Sequence, residues 1–132
     1  MTGDHADPST YGEFPLKHHL GMDVGGDDVG LARLTIGPEH LNPNGVVHGA
    51  VLFALVDTAM GKATMNAIEA GRFCASIEVS LRFIRPASDG ELEAVATVVK
   101  RGRSVVHLDA RVVGPGERLV ATAAGTFAII DV

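Results

Sequence analysis

Residues 49 to about 70 run without a proline, and through the first half of that stretch apolar side chains fall on every side. The pattern predicts a long helix buried all round rather than a surface helix with one apolar stripe. Downstream the period changes to two. In residues 76–83, Ile77, Val79, Leu81 and Phe83 face one way, and Ser76, Glu78, Ser80 and Arg82 face the other. Leu92, Ala94, Ala96 and Val98 mark a second strand, and Val106, Leu108, Ala110 and Val112 a third. Residues 119–130 are apolar or small on both faces, as a central strand should be. Short turns at residues 100–103 and 114–117 make neighbouring strands antiparallel. Upstream, residues 13–20 predict a short helix stopped by Gly21. A glycine- and aspartate-rich strand-and-turn passage follows at residues 22–30, and a strand over 29–36 is closed by Gly37 and Pro38.

These elements predict an α+β chain, with one long central helix wrapped by an antiparallel sheet of about five or six strands. A length of 132 residues fits one domain over residues 13–132 behind a flexible tail at residues 1–12. Hydrophobic content of 46% with 20% charge excludes a disordered chain. The net charge of −5, no Trp and a single Tyr argue against nucleic acid as the partner. The polar, acidic N-terminus lacks a signal-peptide pattern, no apolar run is long enough to span a membrane, and the lone Cys74 precludes an internal disulfide. A cytoplasmic protein is expected.

The chemistry gathers around the long helix. Asp57 sits in the middle of it, and a carboxylate inside an apolar helix is paired or used. The polar loop 42–47 leads into the helix start, where free N–H groups and the helix dipole favour negative charge. Gly49 and Asp57 are eight residues apart, about 12 Å along the axis and about 80° around it. One carbonyl can hardly reach both groups on the same helix. Either only one is catalytic, or Gly49 of one copy works with Asp57 of another across a two-fold axis, giving a homodimer with two equal sites.

Asn42, Gly45, His48, Gly49 and an acid eight residues beyond the first Gly resemble the signature of hotdog-fold acyl-CoA thioesterases of the phenylacetic-acid-degradation type. Ala50 replaces the second Gly of that signature, keeps its own N–H and narrows the mouth of the site. The likeness extends from about Leu20 to Phe127 and includes Arg85-Pro-Ala. The resemblance implies that Asp57 is the general base or the nucleophile and that Gly49 N–H polarises the thioester carbonyl. It implies that Asn42 and His48 position loop, water or thioester, and that Ser76 helps to hold the water. It implies an acyl-CoA substrate, no metal or cofactor, and a dimer paired again into a tetramer.

Blander roles stand beside these. Asp57 pairs with Lys62 or an arginine; His48 only caps the loop; Gly49 is small only for packing. Cys74 lacks a base partner and is read as structural, His18 and His19 as a surface helix end, His40 as a loop residue and His107 as an exposed strand residue. Among the basic residues Arg85, Lys100, Arg101 and Arg103 are candidates to grip coenzyme A phosphates, because Arg forks suit bidentate contact. Phe53, with Met60, Met65 and Phe83, is a candidate wall for the acyl group. A non-catalytic acyl-CoA-binding module and an enoyl-CoA hydratase or dehydratase are the rival readings.

Overall fold

The computed structural model describes residues 13–131, and the tail expected at residues 1–12 lies outside them. Helix α1 (Pro15–Leu20) starts on a proline and stops at Gly21, which takes the left-handed φ of 73°. Strands β1 (Asp23–Gly25) and β2 (Gly30–Thr35) follow, then the long helix α2 (Gly49–Ala67). Strands β3 (Arg72–Phe83), β4 (Glu91–Arg101), β5 (Val105–Val113) and β6 (Leu119–Asp131) complete the chain. All six strands form one antiparallel sheet in the order β1-β2-β4-β5-β6-β3, with α2 packed on its inner face. Helix α2 ends three residues before the expected 70, because Ile68 is already extended and Gly71, at φ 86°, turns the chain into β3.

Register explains how the helix seats itself. Paired residues share a face, so Gly30, Ala96, Ala110, Ala123 and Leu81 form one row across five strands. The next row inward-facing is Ala32, Ala94, Val112, Ala121 and Phe83. Small side chains dominate both rows, which lets α2 lie close to the sheet. Gly30 is the tightest point: a Cβ there would run into the backbone of Ala59 and Ala63. Leu55, Val56, Ala59 and Met60 of α2 are fully buried against Leu92, Leu108 and Val112.

Two expectations are corrected here. The helix is not buried on every side: Val51, Leu52, Leu55, Val56, Ala59, Met60, Ala63 and Thr64 are buried, while Ala50 and Phe53 are exposed and Asp57 and Gly61 half-buried. One sheet can cover only one side of a helix, so the apolar opposite side stays open in a single subunit. The second concerns β3. Its pairing with β6 shifts between Ser76 and Glu78, so Ile77 is the extra residue of a bulge. Ser76 pairs with Phe127 and Val79 with Gly125, both on the inner face. The bulge therefore moves Ser76 out of the polar row and onto the helix side with Val79, Leu81 and Phe83, while Ile77 is 60% exposed.

Gly30→Ala should lower stability by about 1–3 kcal/mol, since overpacking here presses on rigid backbone. Thermal melting measures it, and a variant as stable as the parent would show that α2 has room to lift off β2.

Candidate functional site

The loop before α2 is built by its own polar groups. Asn42 Oδ1 accepts the N–H of Asn44 at 2.9 Å and that of Val46 at 3.4 Å, and Gly45 takes a φ of 78°. Two bonds anchor the far side of the loop: Val47 N–H donates to Ala87 O at 2.8 Å and His48 N–H to His40 O at 2.8 Å. His40 is the hidden staple. Only 2% exposed, it accepts Gly37 N–H on Nδ1 at 2.9 Å and meets Leu20 O through Nε2 at 2.8 Å. A reading as a plain loop residue missed this role; nothing in its local sequence marks a buried ring.

His48 is the N-cap of α2, and its Nδ1 accepts Ala50 N–H at 2.9 Å. That bond leaves the proton of the neutral ring on Nε2, as an outward donor. Val51 N–H donates to His48 O at 2.9 Å. Of the first-turn donors, Gly49 N–H is left without a partner among the described residues. Gly49 also opens into a cleft of about 400 Å³ lined by Asn42, Val46, Leu52, Phe83, Ile84 and Arg85 among others. Of the wall at residues 84–87 only Arg85 was a site candidate from the sequence; Ile84, Pro86 and Ala87 were not foreseen. Their one sequence signal is Ile84, which follows Phe83 and breaks the alternation just before Pro86 ends the strand.

Two turns along α2, burial pushes the Asp57 carboxyl above the ordinary carboxylate range, and the Ser76 hydroxyl draws it partly back. Asp57 Oδ1 is buried with no hydrogen-bond partner. No partner arginine or lysine holds this acid among the described residues; Lys62 forms no ion pair with it. Cys74 stands on the same inner face of β3 as Ser76, its Sγ 3.9 Å from Gly61 O. Burial, with the Asp57 charge behind it, pushes this thiol up to about 11, so it stays protonated near neutrality.

The structure thus brings Asn42, His48, Gly49, Phe83 and Arg85 to one end of α2, and Asp57, Ser76 and Cys74 together at its middle. Ala50 and Phe53 lie on the open side between them. The four basic candidates do not form one patch within a subunit. Arg85 lines the cleft and donates from Nη1 to Leu119 O at 3.3 Å. Arg101 is bound to both carboxylate oxygens of Glu69 at 2.8 Å, just beyond the other end of α2, and Lys100 and Arg103 flank it. The 19 residues of α2 put those ends roughly 28 Å apart.

An open N–H at a helix start can hold a developing oxyanion, and an unpaired carboxylate of raised pKa can take a proton from water. A family model described as the thioesterase superfamily matches residues 44–121. A Pseudomonas aeruginosa protein named "Putative esterase" is 35% identical over 98 residues, covering 74% of this chain and 72% of that protein. A Haemophilus influenzae protein of the same name is 29% identical over 89 residues, covering 66% of this chain. The chain spans 64% of that protein's length. Among solved structures, the Escherichia coli PaaI protein from the phenylacetic acid degradation operon superposes with a TM-score of 0.83 at 25% identity, covering 92% of this chain and 88% of that one. Among the described residues no helix is long and apolar enough to cross a membrane.

The raised pKa of Asp57 makes a pH prediction. Its folded-state value lies above the unfolded 3.8, so the folded protein binds the extra proton and loses stability as pH rises through the folded value. Asp57→Asn should therefore melt higher than the parent at pH 8, with the gain shrinking as pH falls towards 3.8. An equal gain at both ends of that range, or a loss at pH 8, contradicts the burial of an uncompensated charge.

Proposed function

Because this chain belongs to the thioesterase superfamily and carries the hotdog fold, we propose that it hydrolyses an acyl-CoA thioester to a free carboxylic acid and coenzyme A. One observation carries the reading: α2 leaves the Gly49 N–H open at its start and holds, two turns on, the Asp57 carboxylate with a buried oxygen that has no partner. Within that family the spacing of Asn42, Gly45, His48, Gly49 and Asp57 favours the phenylacetic-acid-degradation type.

In this proposal Gly49 N–H donates to the thioester carbonyl oxygen. Asp57 takes a proton from water as the water oxygen attacks the carbonyl carbon, and Ser76 helps to hold that water. Negative charge passes to the oxygen at Gly49 and returns as the carbon–sulfur bond breaks. Asp57 then gives its proton to the departing coenzyme A sulfur. In the alternative course Asp57 attacks the carbonyl itself and expels the coenzyme A thiolate. Water then opens the resulting anhydride, restoring the Asp57 carboxylate, while a proton of that water neutralises the thiolate. His48 offers Nε2–H to the substrate, and Asn42, whose Oδ1 is committed to the loop, keeps that loop in shape. Arg85 at the cleft is the candidate for a coenzyme A phosphate. A thioester is already activated, so placement, a base and an oxyanion donor suffice.

The site is proposed to span two copies. Gly49 and Asp57 of one subunit lie about 12 Å apart along α2, beyond the reach of one carbonyl. Strand β3 is 12 residues long and forms one edge of the sheet, and Phe53, Ile77, Phe83 and Ile84 beside it are exposed. Long exposed edges invite pairing. A homodimer that covers this side, itself paired into a tetramer, supplies each Gly49 with a neighbour's Asp57.

Asp57→Ala should cut thiol release from acyl-CoAs by roughly 10²-fold or more. Near-full activity would remove Asp57 from the mechanism. Gly49→Pro tests the donor: position 49 is the first helical residue, where a missing N–H is tolerated, and His48 is already extended at φ −64° and ψ 139°. Gly49→Ala, which keeps the N–H, controls for the bulk that presses on Phe83, 3.1 Å from a Cβ there. The proline variant should cost about 10²–10³-fold in kcat. Co-assembled Asp57→Ala and Gly49→Pro subunits should regain about one quarter of parental activity, since half the dimers are mixed and each has one intact site. No regain would place both groups in one subunit's site.

A further inference from the structure

The geometry points to Phe83 as the residue that decides which acyl groups the site accepts. This rests on the thioesterase reading of Gly49. A Cβ built on Gly49 would lie 3.1 Å from Phe83 Cζ and 3.4 Å from Cε1, so the ring already stands against the residue whose N–H is open. A carbonyl oxygen bonded to that N–H sits about 2.9 Å from the nitrogen, and its carbon about one bond length further. The ring and the open N–H thus line the same cleft. A thioester seated on Gly49 is therefore placed beside Phe83.

The ring's own setting supports the same conclusion. Phe83 ends β3 on the inner face, paired with Ala121, yet it is 60% exposed. A ring that served only the core at this position would lie under α2 with Ala121 and Val112. Instead it leans over the first turn of the helix and forms a wall of the cleft with Leu52, Ile84, Val46 and Val47. The apolar part of that cleft, Val46, Val47, Leu52, Phe83 and Ile84, suits a hydrocarbon or aryl group, while Arg85 is left for the coenzyme A end of the substrate. The substrate class is thus an apolar acyl thioester, with the bulk next to the carbonyl limited by this ring.

The expected readout is a change of preference, not merely of rate. Phe83→Ala should raise kcat/KM for phenylacetyl-CoA relative to acetyl-CoA about 10-fold or more, since space in an apolar pocket discriminates by about 10–200-fold. Phe83→Trp should move the ratio the other way. Phe83→Leu, a milder change that keeps the strand end packed, should shift it in the same direction as alanine if the alanine variant does not fold. Gel filtration beside each assay checks that assembly is unchanged. If the parent is active and its Phe83 variants lose all thioesters equally, or keep the parental ratio, the ring is structural and the inference falls. If the parent releases thiol from no acyl-CoA of the panel, the thioesterase reading falls, and the role of Phe83 with it.

Discussion

A helix can approach a sheet closely only where the sheet offers no bulk beneath it. Here two cross-strand rows, Gly30-Ala96-Ala110-Ala123-Leu81 and Ala32-Ala94-Val112-Ala121-Phe83, supply that trough. Each row crosses five strands, so no one stretch of chain contains it. It exists only when the register is right, and a slip by one residue would turn the alanines outward. The core then takes shape around α2, with Leu55, Val56 and Met60 sealed completely. Other features of the molecule follow from how the helix sits in this trough.

The first consequence is an open side. A helix pressed into a trough presents its opposite stripe to solvent, and here that stripe carries Ala50, Phe53 and Asp57. Apolar residues and a carboxylate of raised pKa share it, an arrangement that is unfavourable in an isolated subunit. Burying Asp57 without a partner for Oδ1 subtracts stability at neutral pH. Natural chains keep such a defect where a function uses it. The second consequence is that the two ends of α2 do different work. At its start, His48 and the loop held by Asn42 and His40 occupy all but one of the first-turn donors. At its far end, Glu69 gathers Arg72 and Arg101 into ion pairs that tie the helix exit to the strands.

The bulge at Ile77 links the open side to the acid. It turns Ser76 inward, to the face from which Asp57 is approached, and moves the strand's later apolar residues into step with β6. Without it Ser76 would point away from the helix, as simple alternation requires. The same parity change makes Cys74 a neighbour of Asp57, whose charge helps to keep the thiol protonated. Phe83, at the far end of that strand, stays on the inner face by plain alternation with Val79 and Leu81 and so reaches the helix start.

Much of this was legible along the chain. Helix α2 begins where the polar loop stops, and β2, β4, β5 and β6 fall close to the expected stretches, while β3 starts at Arg72, four residues earlier than expected. The loop glycine, the N-cap histidine and the acid stand at readable spacings. Local patterns of that kind are set by residues a few positions apart, and those contacts form wherever the chain folds. The sequence by itself therefore determined the elements, the antiparallel sheet and the candidates Gly49 and Asp57. It did not determine which side of α2 is covered, which face Ser76 joins, that His40 is buried, or that Phe83 leans over Gly49. Those depend on pairings between residues some forty to fifty positions apart, such as Ser76 with Phe127, and on one unpaired residue in a ladder. Only the tertiary structure decides them, because a bulge and a trough are properties of register between strands, and register is fixed by packing across the whole sheet.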